Sequence, residues 1–384
     1  MMFVNHLRPD NNFVVLVVKP HHPLYIKTLS LNNFKSYHQS TFDFSPHLNI
    51  IYGRNGVGKT NLLDAIYTLS MTRSNFLITD SQLIHDDQDF FRLQGVLTKG
   101  DQDIKVVIKL KKGKKKIVER DGIAVPKLVD HVGFMPVVMI TPDDLNLINS
   151  SNLERRKLAD ATLSQVDHEY LENLVTYNRL LKQRNSLLKN WQEKGSFDPI
   201  LLDAYDQKME DPCFKIFEFR RQFFDQLLAR LQVYYDILCE GKEPVTLKYE
   251  SQLSEFSFPE ISNKNRNRDR VLGRTHGGIH RDIISTFIDQ RDARIYGSQG
   301  QKKSLVFAIK LAQLDYMRNK LQDQPIMLLD DVFDKLDRFR VEHLLSIILS
   351  DNFGQVFLTD TQWQRIESIL DRYQIETNKF EIGS

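Results

Sequence analysis

Residues Leu48-Asn49-Ile50-Ile51-Tyr52-Gly53-Arg54-Asn55-Gly56-Val57-Gly58-Lys59-Thr60 decide the fold class. The first five form a short apolar run of the kind a buried central strand carries. The next eight match GxxxxGK[ST], and a helical pattern follows from Thr60 to about Leu69. Strand, glycine-rich turn and helix, in that order, are the setting this motif requires. Its glycines let backbone amides turn inward around a phosphate, and the helix N-terminus adds its positive end. Gly53, Arg54, Asn55, Gly56, Val57, Gly58, Lys59 and Thr60 are therefore candidate nucleotide-binding residues. In that role Lys59 neutralises β- and γ-phosphate oxygens, and the Thr60 hydroxyl ligates Mg2+. The bland alternative, a plain glycine turn, is disfavoured by the strand before it and the helix after it.

Working outward, Tyr25-Ile26-Lys27-Thr28-Leu29-Ser30-Leu31 alternates apolar and polar residues as a half-buried strand does, and Thr41-Phe42-Asp43-Phe44 repeats the pattern. Residues 91–125 read as a strand meander, with turns at Lys99-Gly100-Asp101 and in the lysine-rich stretch 111–116. The composition changes after Pro142. From Arg155 to Trp191 there is no glycine or proline, and Tyr170, Leu174, Tyr177, Leu181, Leu188 and Trp191 fall at coiled-coil spacing, with Arg184 in the skipped position. After a break at Gly195-Ser196, Phe224, Leu228, Leu231, Tyr235 and Leu238 continue that spacing, and Pro212 is expected to kink or restart the stretch. Two antiparallel helices and a short loop would make a helical arm, although an ordinary helical domain fits the same pattern. From Thr275 strand and helix signals alternate again, ending in a strand at Gln355–Leu358. The expected division is an N-terminal extension at 1–24 (an added edge strand or an early start), a head at 25–145, a helical arm at 146–264, and the rest of the head at 265–384.

The composition bounds this reading. A chain of 384 residues suggests two or three domains, and 41% hydrophobic with 27% charged residues is globular usage. Lys and Arg total 52 against 50 Asp and Glu, a formal charge of +2, so any nucleic-acid surface would have to be local. Cys213 and Cys239 make no disulfide framework and lack metal-ligand spacing, which fits thiols in a reducing cytoplasm. The apolar run Phe13–Val18 falls short of the ~20 residues of a membrane span, so no membrane partner is expected.

The second half supplies what a phosphate loop needs. Pro325-Ile326-Met327-Leu328-Leu329 is an apolar strand ending in Asp330 and Asp331. Asp330 suits a place beside the metal, and Asp331 sits where a general base or water-orienting group belongs. Two solvated carboxylates in a turn are the alternative. Upstream, Ser298-Gln299-Gly300-Gln301 opens a helix running from Lys302 to about Met317. This resembles the signature of ABC ATPases, in which amides at a helix N-terminus bind a γ-phosphate, and it adds Ser298, Gly300 and Gln301 to the candidates. Asp334-Lys335-Leu336-Asp337 is similar to the loop that crosses the dimer interface of those ATPases, which adds Asp337. In that fold the signature of one copy completes the phosphate loop of another, so the resemblance implies an ATP-sandwiched homodimer. Two features of transporter ATPases are missing: no histidine follows the strand at Thr359-Asp360-Thr361, and no glutamine lies in Phe134–Thr141.

Several further strings, Asn33-Phe34-Lys35-Ser36-Tyr37, Asn61-Leu62-Leu63-Asp64-Ala65-Ile66-Tyr67, Ile140-Thr141-Pro142-Asp143-Asp144-Leu145, Leu180-Leu181-Lys182-Gln183-Arg184-Asn185 and Thr275-His276-Gly277-Gly278-Ile279-His280-Arg281-Asp282, resemble the RecF family of SMC-like ATPases from about residue 25 to the C-terminus. The resemblance implies an α/β fold, an ABC-type (SMC/RecF-like) P-loop ATPase head with an inserted helical, coiled-coil-like arm. It implies ATP and Mg2+ as cofactors. It also implies ATP-dependent binding to single-stranded, gapped or junction DNA in recombinational repair and replication-fork maintenance, with RecO- and RecR-type partners. A weak, DNA-stimulated ATPase would act as the switch, and Asp331, where ABC proteins usually carry glutamate, is compatible with slow hydrolysis. Candidate phosphate-contacting surfaces are Lys111, Lys112, Lys114, Lys115 and Lys116 in one turn, and the run Lys264, Arg266, Arg268, Arg270 and Arg274 leading into His280-Arg281. Solvated surface is the alternative for each. Competing functions are another SMC-like or overcoming-lysogenisation-type ATPase, a transporter ATPase subunit, and a DNA-binding protein with a dead ATP site.

Overall fold

Period-two patterning at the start of the chain closes into a hairpin. Strands β1 (Tyr25–Phe34) and β2 (Tyr37–Asp43) pair antiparallel with Phe34 opposite Tyr37, so Lys35 and Ser36 make the turn. In this computed structural model the described residues are 24–76, 78–239, 243–333, 338–349, 354–361, 367, 370 and 377–383. The N-terminal extension at 1–23 and the interface-loop reading of Asp334–Asp337 lie outside them. The chain continues through β3 (Leu48–Tyr52), α1 (Lys59–Met71), β4 (Phe90–Lys99), β5 (Gln102–Lys111), β6 (Ile117–Arg120), β7 (Ile123–Ala124) and β8 (Val137–Ile140). Helices α2 (Asn146–Asn149), α3 (Asn152–Val166), α4 (His168–Lys194) and α5 (Pro199–Cys239) follow. Then come β9 (Val245–Glu250), α6 (Phe258–Leu272), β10 (Ile283–Ile288), β11 (Arg291–Asp292), α7 (Ala293–Tyr296) and α8 (Gln299–Leu321). The last elements are β12 (Ile326–Leu329), α9 (Arg338–Ile348), β13 (Val356–Asp360) and β14 (Thr377–Glu381).

Three sheets result. An antiparallel sheet has the order β2-β1-β4-β5-β6-β7, a parallel sheet the order β14-β3-β13-β12-β8, and a small antiparallel sheet the order β11-β10-β9. Strands β3, β8, β12 and β13 of the parallel sheet are largely apolar because both faces are covered, whereas β14 at its edge is polar. Ile51, Val137, Met139, Ile326 and Leu328 face a core shared with α1 and the first sheet. Their neighbours Ile50, Val138, Ile140, Met327 and Leu329 face a second core shared with α3, α4, α5 and α8. The parallel sheet is thus the middle layer, and both halves of the chain build it.

The helical hairpin forms as the spacing predicts, with α4 closed by Gly195 in the left-handed conformation (φ 64°). Its base shares the second core with α8, so it is not a free-standing rod. Helix α5 does not restart at Pro212; it runs through that residue, which is buried. Tertiary packing along the helix offsets the ~3 kcal/mol an internal proline costs. A boundary at 264 falls inside α6, and β9 pairs with β10 from the later segment. The chain also adds β14 beyond the last expected strand.

Arg184, in the skipped coiled-coil position, is fully buried. Its guanidinium donates to Asp206 (2.7 Å), Asp269 (2.9 Å), Thr275 Oγ1 (2.8 Å) and Ser262 Oγ (2.6 Å), drawing α4, α5, α6 and the segment after it together. A second buried arginine, Arg220, pairs with Asp282 and Asp160 at 2.8 Å each. A buried guanidinium is tolerable only when its donors are met in this way. Among the described residues no helix is long and apolar enough to cross a membrane.

Two histidines are held neutral by burial. His131 Nε2 lies 2.7 Å from Leu69 O, His280 Nδ1 lies 2.8 Å from the Tyr177 hydroxyl, and desolvation pushes both rings down to about 4. A depressed folded-state value gives stability that is present above the ordinary histidine range and lost as pH falls toward the folded value. At pH 5 each ring should cost the folded state about 2 kcal/mol relative to pH 7.5. Urea unfolding at the two pH values checks this, with His131→Gln expected to flatten part of the difference; an unchanged difference in that variant would contradict it.

Candidate functional site

The phosphate-loop glycines adopt backbone conformations that other residues resist. Gly53 has φ 149°, and a side chain there would stand 2.4 Å from Ile382 O, because the end of β14 packs against the loop. Gly58 has φ 113°, with Ser36 Oγ 2.8 Å from where a Cβ would sit, while the Tyr37 hydroxyl donates to Gly58 O at 3.1 Å. The β1–β2 turn therefore buttresses the loop. Lys35 continues that contact through a 2.5 Å ion pair with buried Asp64 of α1, which also accepts from Ser74 Oγ and the Asn75 amide. The strings around Lys35 and Asp64 are thus one structural unit.

Helix α1 begins at Lys59 with no side-chain cap and no acidic residue in its first turn. Its leading amides and positive dipole end are left for an anion. The Lys59 ammonium bridges the loop, donating to Gly53 O (2.9 Å) and Arg54 O (3.2 Å). Arg54, Asn55, Gly56 and Val57 form the arch between them, with Arg54, Asn55 and Gly56 exposed and Val57 half-buried. Thr60 turns its hydroxyl the other way, 2.9 Å from both carboxylate oxygens of Asp330.

Asp330 ends β12, and Thr359 lies on the neighbouring β13. The Thr359 hydroxyl donates to Asp330 Oδ1 (2.9 Å) and accepts from the Asp331 amide (2.8 Å), so one side chain holds both acidic residues. Burial pushes the Asp330 carboxyl above the usual range; the Thr359 and Thr60 hydroxyls and Lys59 oppose this, and the Asp331 charge adds to it. A divalent cation beside this oxygen pair would relieve the same penalty, so the donor set suits Mg2+ completed by phosphate oxygens and water. Asp331 has φ 45°, a left-handed conformation that aspartate tolerates better than most residues, and its side chain is partly exposed beside the loop.

The signature residues sit at a different helix terminus. Ser298 caps α8: its hydroxyl accepts from the Gln301 amide (3.2 Å), and its own amide donates to Gln301 Oε1 (2.7 Å). Gln301 Nε2 donates to Glu243 Oε1 at 2.7 Å. Gly300 faces the Arg340 guanidinium, 3.4 Å from where a Cβ would stand. The structure therefore brings Lys59, Thr60, Asp330 and Asp331 together, while Ser298, Gly300 and Gln301 form a separate surface. Thr359 and Ile382 were not legible as site residues: a threonine within an apolar strand and a residue near the chain end carry no local signal.

Neither basic surface is wholly free. Lys116 is withdrawn from its turn, with its side chain 4% exposed and paired with Asp80 at 2.5 Å. Lys111, Lys112, Lys114 and Lys115 stay exposed. On α6, Arg266 pairs with Asp203, while Lys264 and Arg270 lie over the rings of Phe256 and Phe197.

Removing the Thr359 hydroxyl should expose its structural role. Thr359→Val is expected to lose about 1–3 kcal/mol of stability by leaving the Asp331 amide and Asp330 short of a partner. Thr359→Ser should stay within about 1 kcal/mol of wild type. Denaturant unfolding of both variants checks this, and equal loss in both would point to the methyl group instead.

Comparison with known proteins agrees with the geometry. The model of the RecF/RecN/SMC N terminal domain matches residues 25–380. The DNA replication and repair protein RecF of Flavobacterium johnsoniae is 39% identical over 347 residues, covering 90% of this chain and 97% of that protein. Two solved structures of the recombination mediator protein RecF in the RecFOR pathway, RecF-ATPrS and RecF-ATP, superpose with TM-scores of 0.84 and 0.83. They are 28% and 27% identical, cover 94% and 95% of this chain, and are each matched over 97% of their own length. The chain belongs to the RecF family, within the RecF/RecN/SMC group of ATPase heads.

Proposed function

We propose that the chain is an ATP-switched DNA-binding protein of replication and recombinational repair. The observation that carries this is the contact of Thr60 with Asp330, which brings a phosphate loop and an acidic strand end together across 270 residues. Relatives named for DNA replication and repair, and a related structure named as RecF-ATP, support the reading.

In this reading the amides of Gly53–Thr60 cradle the phosphates of ATP. Lys59, already aimed across the loop, exchanges its contacts with Gly53 O and Arg54 O for phosphate oxygens. Thr60 and Asp330 would hold Mg2+, which when bound would supply neutralisation of the charge that builds on the phosphates. Asp331 orients or deprotonates the attacking water, and its short side chain keeps turnover slow. Ser298, Gly300, Gln301 and Asp337 complete the site from a second copy of the chain, so ATP closes two heads around single-stranded, gapped or junction DNA. RecO- and RecR-type proteins are then recruited, and DNA-stimulated hydrolysis reopens the dimer. The head is assigned to 25–145 and 265–384 and the arm to 146–264, in the cytoplasm.

Size-exclusion chromatography with and without ATP tests the switch. The wild-type chain should dimerise only with ATP, Lys59→Ala should stay monomeric, and Asp331→Asn should remain dimeric longer after ATP addition. An ATP-independent dimer in both variants contradicts the reading. Turnover of Asp331→Asn should fall by on the order of a hundredfold or more, as loss of an acid–base group does.

A further inference from the structure

The segment after α6 runs back alongside α4. Gly273 lies against Lys189, with 3.3 Å between its Cβ position and the Lys189 Cα; Thr275 meets Asn185, and His280 reaches Tyr177. Between the two lies an open groove of about 420 Å³ lined by Asn178, Leu181, Lys182, Asn185, Ser186, Lys189 and Gly273. Arg274 stands exposed at its edge, its Nε 3.3 Å from His276 Nε2. We propose that this groove holds a nucleic-acid backbone, with Lys182, Lys189 and Arg274 as the phosphate contacts.

Charge and spacing both argue for a polyanion. Lys182 and Lys189 lie two turns apart on one face of α4, a rise of about 10 Å, too far for one phosphate to satisfy both. A nucleic-acid strand carries a charge every ~3.4 Å of axis, so successive phosphates reach them. Among the described residues neither Lys182 nor Arg274 is paired with a carboxylate. Lys189 meets Glu193 only at 3.9 Å, with both side chains more than 60% exposed, and such a pair holds a cation weakly. The neighbouring carboxylate Asp269 is fully buried and occupied by Arg184 and His276. Asn185 accepts from the Thr275 amide (2.8 Å) and hydroxyl (2.7 Å) through its carbonyl oxygen, which leaves its amide donors for the groove.

The walls are preset. Arg184 and Asn185 on α4 grip Thr275, so the groove keeps its width without a ligand. No base-reading element lines it, so recognition follows the backbone. By contrast, Arg266 and Arg270 of the arginine run are engaged by Asp203 and Phe197, and contribute less.

The inference rests on the DNA-binding reading above, and its failure can be told apart from the failure of that reading. Fluorescence anisotropy of a labelled single strand and of a gapped duplex, with ATP and across a salt series, measures both. Neutralising the groove (Lys182→Gln, Lys189→Gln, Arg274→Gln together) should weaken binding by on the order of tenfold or more and flatten the log–log salt slope by about 2 to 3. The pair Lys182→Gln, Lys189→Gln, which leaves the Arg274–His276 contact intact, should show about two thirds of that change in slope. Neutralising Lys112, Lys114 and Lys115 should change both quantities less than neutralising the groove does. Wild-type binding with an unchanged groove variant overturns this site, as does equal loss from the lysine turn. Absence of DNA binding by the wild type overturns the DNA-binding reading itself.

Discussion

The architecture depends on one buried carboxylate shared by two threonines. Asp330 is 5% exposed, and the hydroxyls of Thr60 and Thr359 both point at it. Thr60 follows β3, Asp330 follows β12, and Thr359 belongs to β13 between them in the sheet. Parallel strands end on the same side, so three separate loops converge there without any long excursion. The same contacts set Asp331, whose amide is held by Thr359. Loss of any member leaves a charge or amide in a poorly solvated place, which is costlier than the contact is stabilising.

Around this centre the fold places two buried arginines where apolar residues would be simpler. Arg184 replaces a coiled-coil knob and instead joins α4, α5, α6 and Thr275. Arg220 joins α5 to α3 and to Asp282 at the start of β10. Hydrogen bonds to a guanidinium are directional, so these networks fix the angle and register of the hairpin on the head more narrowly than apolar packing alone would. The groove beside α4 follows from this, because its far wall is the segment that Arg184 and Asn185 grip.

What was legible in the sequence is what chemistry forces into contiguous residues. The phosphate loop, the strand ending at Asp330, the helix opened by Ser298–Gln301 and the hairpin spacing are all local patterns, and the structure contains each. What was not legible depends on distant partners. Thr359 looks like any β-branched strand residue until Asp330 is beside it. The pairing of β9 with β10 joins residues on either side of α6, and β14 is polar because it lies at a sheet edge. Pro212 predicts a kink or a restart, yet the helix runs on through it, and Lys116 looks solvated until Asp80 meets it.

The central claim is that the nucleotide site is finished by a second copy, and mixing two inactive chains tests it most directly. Lys59→Ala removes the phosphate-loop cation and leaves the signature intact; Ser298→Arg blocks the signature and leaves the loop intact. In a mixed dimer the two lesions fall in one composite site, and the other site is wild type. ATP turnover should be lost in each variant alone and partly restored on mixing. No restoration, with both variants folded and Ser298→Arg still binding ATP, would contradict a site shared between two chains.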